Sequence, residues 1–356
     1  MIADAPLRAT ETAREIDAQP AIWRDWAAPL AEQAAEIRGW IAARGVREIW
    51  ASGAGTSAYL GDVLAAALGV QARPTTDLVA DPGRAFARPG PVLSVQFGRS
   101  GNSSETVGLL DLLDAHRPDI DRLQITCNAA SALGSRIGPG PGQSRVLVLP
   151  EATHDRGFAM TSSFTTMLLS ALACLDPGFD ARAVLPRLAD AAAAMLPGLW
   201  QRPAPRPGRA IFLGSGALTG IARESALKVL ELTAGRTVTQ WDSSLGFRHG
   251  PKAAVDAETA VFVLVSGDAQ VARYDLDLAA EIRAQFPGIA VTTIGPGGDI
   301  APALTGTAGD AALYVLPAQV LAHRWSDSLG LPVDDPFAGR NLTRVVSGVR
   351  LYPWQA

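Results

Sequence analysis

Cysteine is almost missing from this chain, with only Cys127 in an apolar run and Cys174 in a helical pattern among 356 residues. That excludes a disulfide framework and fits buried thiols in a reducing cytoplasm. Histidine is nearly as scarce: His116, His154, His249 and His323 are scattered without metal-ligand spacing, and only His154 stands beside a carboxylate, Asp155, so no metal site is expected. No run approaches the roughly 18 consecutive apolar residues of a membrane helix, and no basic segment leads into an apolar stretch at the start. Neither a membrane span nor a signal peptide is expected. Positive charge is not in excess, since 31 Lys and Arg against 35 Asp and Glu leave a net charge of −4, which attracts neither nucleic acid nor an anionic membrane.

Several chemical signatures are also absent. The chain has no Gly-x-x-x-x-Gly-Lys-Ser/Thr loop for a nucleotide triphosphate and no Gly-x-Ser-x-Gly elbow. Gly53-x-Gly55 lacks the third glycine of a dinucleotide fingerprint. Nicotinamide and flavin are therefore not expected, and no cofactor is assigned. What is present is a composition 48% apolar and 19% charged, enough to bury a large core, punctuated by 25 prolines.

Apolar spacing predicts helices over 10–44, broken at Pro20 and Pro29, whose Trp23, Trp26, Ile37, Trp40 and Ile41 pack on the first domain or on a partner subunit. Strands over 48–51, 91–97, 122–128 and 145–149 then alternate with helices through 68, to 113 and over 162–175. A helix from 178 runs into a Pro-rich linker at 201–208. The pattern restarts with a strand over 210–213, a helix to 234, a strand over 260–265, a helix over 276–285, strands over 289–294 and 311–316, and a helix over 319–329. Alternation of this kind gives doubly wound parallel sheets. Ser52-Gly53-Ala54-Gly55-Thr56 and Ser215-Gly216-Ala217-Leu218-Thr219 look equivalent, 163 residues apart (215 − 52), so two α/β domains related by duplication are expected: 1–44 helical, 45–195 first, 196–356 second with its tail.

Two stretches join a strand end, glycines, hydroxyls and a helix start: Ser52-Gly53-Ala54-Gly55-Thr56-Ser57 and Gly98-Arg99-Ser100-Gly101-Asn102-Ser103-Ser104. Glycines let the backbone approach an anion, helix N–H groups point at it and hydroxyls donate to it, so a phosphate monoester is the natural ligand. The plainer reading is that Ser, Thr and Asn only cap helices. Farther on, Glu224, Lys228 and Glu231 share one helical face, and His249 stands between glycines in Gly246-Phe247-Arg248-His249-Gly250-Pro251-Lys252. Alone, the charged face reads as a solvated salt-bridge ladder, and His249 reads equally as a structural histidine. Its position after a tight Gly turn favours proton transfer by Glu231 and His249.

These motifs, together with Thr161-Ser162-Ser163-Phe164-Thr165-Thr166, Arg223-Glu224-Ser225-Ala226-Leu227-Lys228-Val229-Leu230-Glu231 and Arg340-Asn341-Leu342, occur in the order of a known family. The chain resembles the double sugar-isomerase (SIS) domain proteins, most closely the galactosamine-6-phosphate deaminase/isomerase and tagatose-6-phosphate ketose/aldose isomerase group. It is similar, more distantly, to the isomerase half of glutamine:fructose-6-phosphate amidotransferase. The resemblance implies a flavodoxin-like SIS fold, with Ser52, Gly55, Thr56, Ser57, Arg99, Ser100, Asn102, Ser103, Ser104, Thr161, Glu224, Lys228 and Arg344 binding a phosphorylated sugar. It makes Glu231 the base between C1 and C2 and His249 the ring-opening group, supplied across the interface of a homodimer or higher homo-oligomer. Arg344 stands where the amidotransferase has a Lys, and a guanidinium that stays protonated forms no Schiff base. No glutaminase half accompanies it, so synthesis from glutamine is not expected. The expected activity is deamination of a hexosamine 6-phosphate to a ketose 6-phosphate and ammonia. The alternatives are aldose–ketose isomerisation without ammonia release, or a sugar-phosphate-binding regulator, although no basic helix-turn-helix is found.

Overall fold

The computed structural model describes residues 9–340 and 342–355. Asn341, part of one of the motifs above, lies outside them. The chain forms two compact units, one made of 25–154, 162–183 and 343–355, the other of 9–24, 155–161 and 184–342.

The first of these units is built on a five-stranded parallel sheet. Its elements are β1 (Glu48–Ser52), α2 (Thr56–Leu68), β2 (Gln71–Ala72), α3 (Thr75–Ala80), α4 (Gly83–Phe86), β3 (Val92–Gly98), α5 (Ser104–His116), β4 (Asp121–Thr126), α6 (Ala132–Ser135), β5 (Ser144–Val148) and α7 (Ser162–Leu175). The strand order is β2-β1-β3-β4-β5, every pair parallel. Because the chain goes outward from β1 to β2 and returns to place β3 on the other side of β1, the strand order reverses between β1 and β3. That reversal opens the crevice in which doubly wound sheets bind ligands. One face is closed by Trp50, Leu78, Phe86, Val92, Leu109 and Leu113. Residues of the C-terminal tail continue that layer, with Trp354 edge-on to Phe86 at 5.6 Å and the Val349 N–H donating to Ser104 Oγ at 3.2 Å.

The other unit repeats the plan with four strands. After α8 (Ala181–Gln201) come β6 (Arg209–Gly214), α9 (Ala217–Leu232), β7 (Val238–Asp242), β8 (Thr259–Leu264), α10 (Ala269–Gln285), β9 (Ala290–Ile294) and α11 (Ala311–Ser328). Its order, β7-β6-β8-β9, matches that of β2, β1, β3 and β4. Alternation along the strands splits the core in two. Ile211, Leu213, Val261 and Val263 face Leu278 and Ile282 of α10, whereas Phe212 stacks on Phe262 at 4.8 Å, with Trp325 of α11 next in line.

The duplication is confirmed, but its register differs from that of the hydroxyls. Gly55 and Gly216 are the residues before α2 and α9, with φ/ψ of 56/−130° and 59/−127°, conformations that favour glycine. A Cβ at Gly53 or at Gly214 would lie 2.4 or 2.6 Å from a carbonyl oxygen of the helix that follows. The offset is therefore 161 (214 − 53 and 216 − 55), not 163. Ser57 pairs with Leu218 and Thr56 with Ala217, so the second copy has lost both hydroxyls.

Other expectations fail locally. Residues 10–44 form one helix, α1 (Glu11–Arg44), unbroken at Pro20 and Pro29, and its Trp23, Trp26 and Ile37 are buried within this chain, so they are no evidence of a partner. The strand expected over 311–316 is the first third of α11, which continues through Pro317. Edge strand β7 was not expected. α10 begins at Ala269, well before the expected 276.

His323 is one histidine whose structural role is plain. It is buried on α11 with Nε2 2.8 Å from Thr10 Oγ1, and burial pushes its pKa down to about 4. The unfolded chain takes up this proton near pH 6.5, the folded chain only near pH 4, so the contribution to stability is full above about pH 6.5 and is lost as pH falls. Acid titration of stability should be shallower in His323→Gln than in wild type by about 3 kcal/mol between pH 6.5 and 4, read by urea unfolding at each pH. Parallel curves would remove His323 from the acid response.

Candidate active site

In the five-stranded unit the two hydroxyl-rich loops leave adjacent parallel strands, since Ser52 of β1 pairs with Gln96 of β3. Both loops lie at the carboxyl ends where the strand order reverses, and the fold brings together Ser52, Gly55, Thr56 and Ser57 from one and Arg99, Ser100 and Asn102 from the other. No side chain caps α2, whose N-cap is Gly55. Thr56, Ser57 and Arg99 are buried, and Ser52 Oγ is buried without a hydrogen-bond partner among the described residues. An oxyanion is the chemistry that hydroxyls around a helix start serve best.

Other members of the second loop have structural work. Ser103 is also the N-cap of α5 and accepts from Thr106 N–H at 3.3 Å. Ser104 is bound to the tail through Val346 and Val349. Asn102 Oδ1 accepts from Ala132 N–H at 2.8 Å, and the Asn102 N–H donates to Ser100 Oγ at 3.4 Å, so this side chain fixes the loop against α6. Arg344 is exposed on the segment that begins the tail.

In the four-stranded unit, α9 starts at the Gly214-Ser215-Gly216 turn and carries the charged face inward. Lys228 Nζ lies 3.4 Å from Glu224 Oε1 and 2.5 Å from Glu231 Oε2, and the side chains of Glu224 and Lys228 are 0% exposed while that of Glu231 is 24% exposed. A solvated ladder is excluded. Two carboxylates share one buried ammonium, and of the three side chains only Glu231 keeps solvent access. Thr161 is buried, its N–H donating to Asp155 Oδ2 at 2.8 Å and its hydroxyl to Oδ1 at 3.1 Å.

His249 is exposed at the end of a single 3₁₀ turn, Gly246–Arg248, on a different segment from α9. The segment is held on both flanks by one carboxylate that the sequence did not reveal: Glu281 of α10 accepts from Arg248 Nε at 2.7 Å and from Lys252 Nζ. The Lys252 ammonium, then the Arg248 guanidinium, hold the Glu281 carboxyl below its usual range. Phe247 is fully buried in the core beneath. Glu281 was missed because one acidic residue on an amphipathic helix has no signature of its own.

No protein-family model matches the chain. A Streptomyces coelicolor protein, provisionally named a D-galactosamine-6-phosphate deaminase, is 43% identical over 371 residues, covering 97% of this chain and 96% of its own length. An Escherichia coli D-galactosamine-6-phosphate deaminase AgaS is 40% identical over 334 residues, 86% of this chain and 85% of its own. The chain belongs to the AgaS family. Among solved structures, the tagatose-6-phosphate ketose/aldose isomerase from Escherichia coli superposes with a TM-score of 0.87 at 37% identity over 99% of both chains. Family and fold agree with the resemblance drawn from the motifs. Among the described residues no helix is long and apolar enough to cross a membrane, and no three His, Cys, Asp or Glu stand together as metal ligands.

Proposed function

We propose that the chain is a hexosamine 6-phosphate deaminase. The observation that carries this is the buried Glu224–Lys228–Glu231 line on the helix that opens at the Gly214/Gly216 turn, in a chain 43% identical to a protein named for that reaction. In this reading, Ser52, Gly55, Thr56, Ser57, Ser100, Asn102, Ser103 and Ser104 serve the phosphate. Arg99, Thr161, Glu224, Lys228 and Arg344 position the sugar. His249 moves the proton that opens the ring and exposes the C1 aldehyde. Glu231 then takes the C2 proton, giving an enaminol, and returns a proton to C1, which leaves an imine at C2. Water adds to that carbon, the C–N bond breaks, and ammonia and the ketose 6-phosphate depart. Metal and cofactor have no part in it.

Up to the enaminol the chemistry is that of an aldose–ketose isomerase, with oxygen in place of nitrogen. The similarity to a solved tagatose-6-phosphate ketose/aldose isomerase favours isomerisation of a hexose 6-phosphate as the second reading. We assign the protein to a reducing cytoplasm on its two buried cysteines, neither of them in a disulfide, and the duplicated domains to 45–195 and 196–356 after a helical 1–44. We also assign it a homodimer or higher homo-oligomer in which His249 serves the partner's site. Exposed Leu230, Val238, Trp241 and Leu245, gathered on α9, edge strand β7 and the approach to His249, support that assembly.

Ammonia and a ketose 6-phosphate should appear on addition of galactosamine 6-phosphate or glucosamine 6-phosphate. Ketose without ammonia, from a hexose 6-phosphate only, would establish the second reading; binding without any product would make the protein a regulator. Ser57→Ala and Ser100→Ala should each raise KM for the phosphorylated sugar by roughly 10- to 100-fold with the fold intact, since a hydrogen bond to a charged group is worth about 1.5–3 kcal/mol. Equal activity on the unphosphorylated sugar would remove these hydroxyls from phosphate binding.

A further inference from the structure

The repeat unit raises a question about its second copy. In the five-stranded unit, two loops at the strand-order reversal carry hydroxyls. In the four-stranded unit the turn after β6 leads into Ala217 and Leu218 where the first copy has Thr56 and Ser57. A carboxylate lies among these loops instead. Asp275 of α10 is fully buried; its Oδ1 accepts from Ser215 Oγ at 2.6 Å and from Ser244 Oγ at 2.5 Å, and its Oδ2 accepts from the Ser266 N–H at 2.9 Å. Those three donors come from the loops that follow β6, β7 and β8. Counted from the helix N-caps, Asp275 (275 − 268 = 7) stands where the first copy has Leu110 (110 − 103 = 7), so one copy places its polar groups on the loops and the other on the helix.

We propose that the Asp275 carboxylate takes the anion's place in the duplicated site and, through Ser244, positions the segment that carries His249. The second copy thereby holds the segment that carries His249 in place of a second ligand. The segment 243–249 is then fastened at three points, by Ser244 to Asp275, by Phe247 in the core and by Arg248 to Glu281. Asp275 and Glu281 are both on α10, so one helix sets where the exposed imidazole stands. Buried charge-assisted hydrogen bonds of this kind fix geometry, because leaving any partner unsatisfied is costly. Asp275 is a positioning residue, and its catalytic consequence rests on the reading of His249 as the ring-opening group.

The test uses Asp275→Asn, Asp275→Ala and Ser244→Ala in the full-length protein, with hydrogen exchange and kinetics on galactosamine 6-phosphate. Exchange at amides 243–249 is expected to rise in all three variants while α9 keeps its protection. The kcat should fall roughly 10- to 100-fold at unchanged KM, the equivalent of one lost charge-assisted bond. Formate, a free carboxylate small enough for the vacated place, should restore kcat in Asp275→Ala and leave His249→Ala inactive. Ser244→Ala keeps the carboxylate and its other two donors, so it answers the question if Asp275→Ala does not fold. Unchanged exchange at 243–249 would overturn the proposal, as would a loss of protection spread evenly over the whole four-stranded unit with no rescue by formate. If the wild type released no ammonia or ketose, the functional reading would fail while the exchange data still decided whether Asp275 holds the segment.

Discussion

Glu231→Gln is expected to lower kcat by about 10²–10⁴-fold, the usual contribution of a general base, and to leave KM nearly unchanged. Glu224, Lys228 and Glu231 share one face of α9, and their exposure decides among them. Glu224 and Lys228 have no exposed side-chain surface, whereas Glu231, the penultimate residue of α9 before Leu232, is 24% exposed and still touches the Lys228 ammonium. A base must meet a substrate carbon, and Glu231 alone of the three can do so without the helix opening. Glutamine keeps the volume and an oxygen for Lys228, so the loss reports on proton transfer and not on the fold. Deuterium from solvent should enter C1 or C2 with the wild type and not with Glu231→Gln. A variant with near wild-type turnover, or one in which Glu224→Gln abolishes exchange instead, would reassign the base. Mixed with His249→Ala subunits, Glu231→Gln should recover one working site per mixed dimer; no recovery after verified subunit exchange would mean that each site is built from a single chain.

The sequence announced the places of these residues better than their surroundings. Glycine turns after β1 and β6 and the period of α9 are local signals, so the repeated strand–turn–helix and the Glu–Lys–Glu spacing were visible. Whether such a face is buried is not local, since the i, i+3 and i, i+4 spacing of a solvated ladder is the same. Pro20 and Pro29 mark helix breaks by propensity, yet α1 runs on because burying Trp23, Trp26 and Leu30 outweighs two lost backbone bonds. Residues 311–316 are a short apolar run, which length alone cannot divide between strand and helix, and the ambiguity resolves only through the packing of α11 on α9. β7 is an edge strand whose half-polar Val238-Thr239-Gln240-Trp241-Asp242 satisfies neither pattern strongly. The hydroxyls misled the repeat register because Ser215 is matched by sequence to Ser52 and by structure to Ala54; the glycines, fixed by backbone conformation and close approach, carried the true offset.

Lys228→Met should produce the largest loss of stability of any substitution on α9. Its ammonium is fully buried, 3.4 Å from a fully buried carboxylate and 2.5 Å from a second, so the methionine keeps the length and removes the cation on which both anions depend. Removing one member of a buried ionic set costs about 3–5 kcal/mol because charge is left uncompensated in a medium that solvates it poorly. For a protein of this size that corresponds to a fall in Tm of roughly 4–7 °C. If the penalty is the stranded charge of Glu224, then Glu224→Gln with Lys228→Met should be more stable than Lys228→Met alone, a positive coupling of the kind double-mutant cycles measure between contacting residues. Differential scanning calorimetry of the two single variants and the double variant gives the result directly. Additive losses would mean that Lys228 stabilises α9 by packing its aliphatic stem, and the Glu–Lys–Glu line would then be an architectural feature and not an ion-paired platform for Glu231.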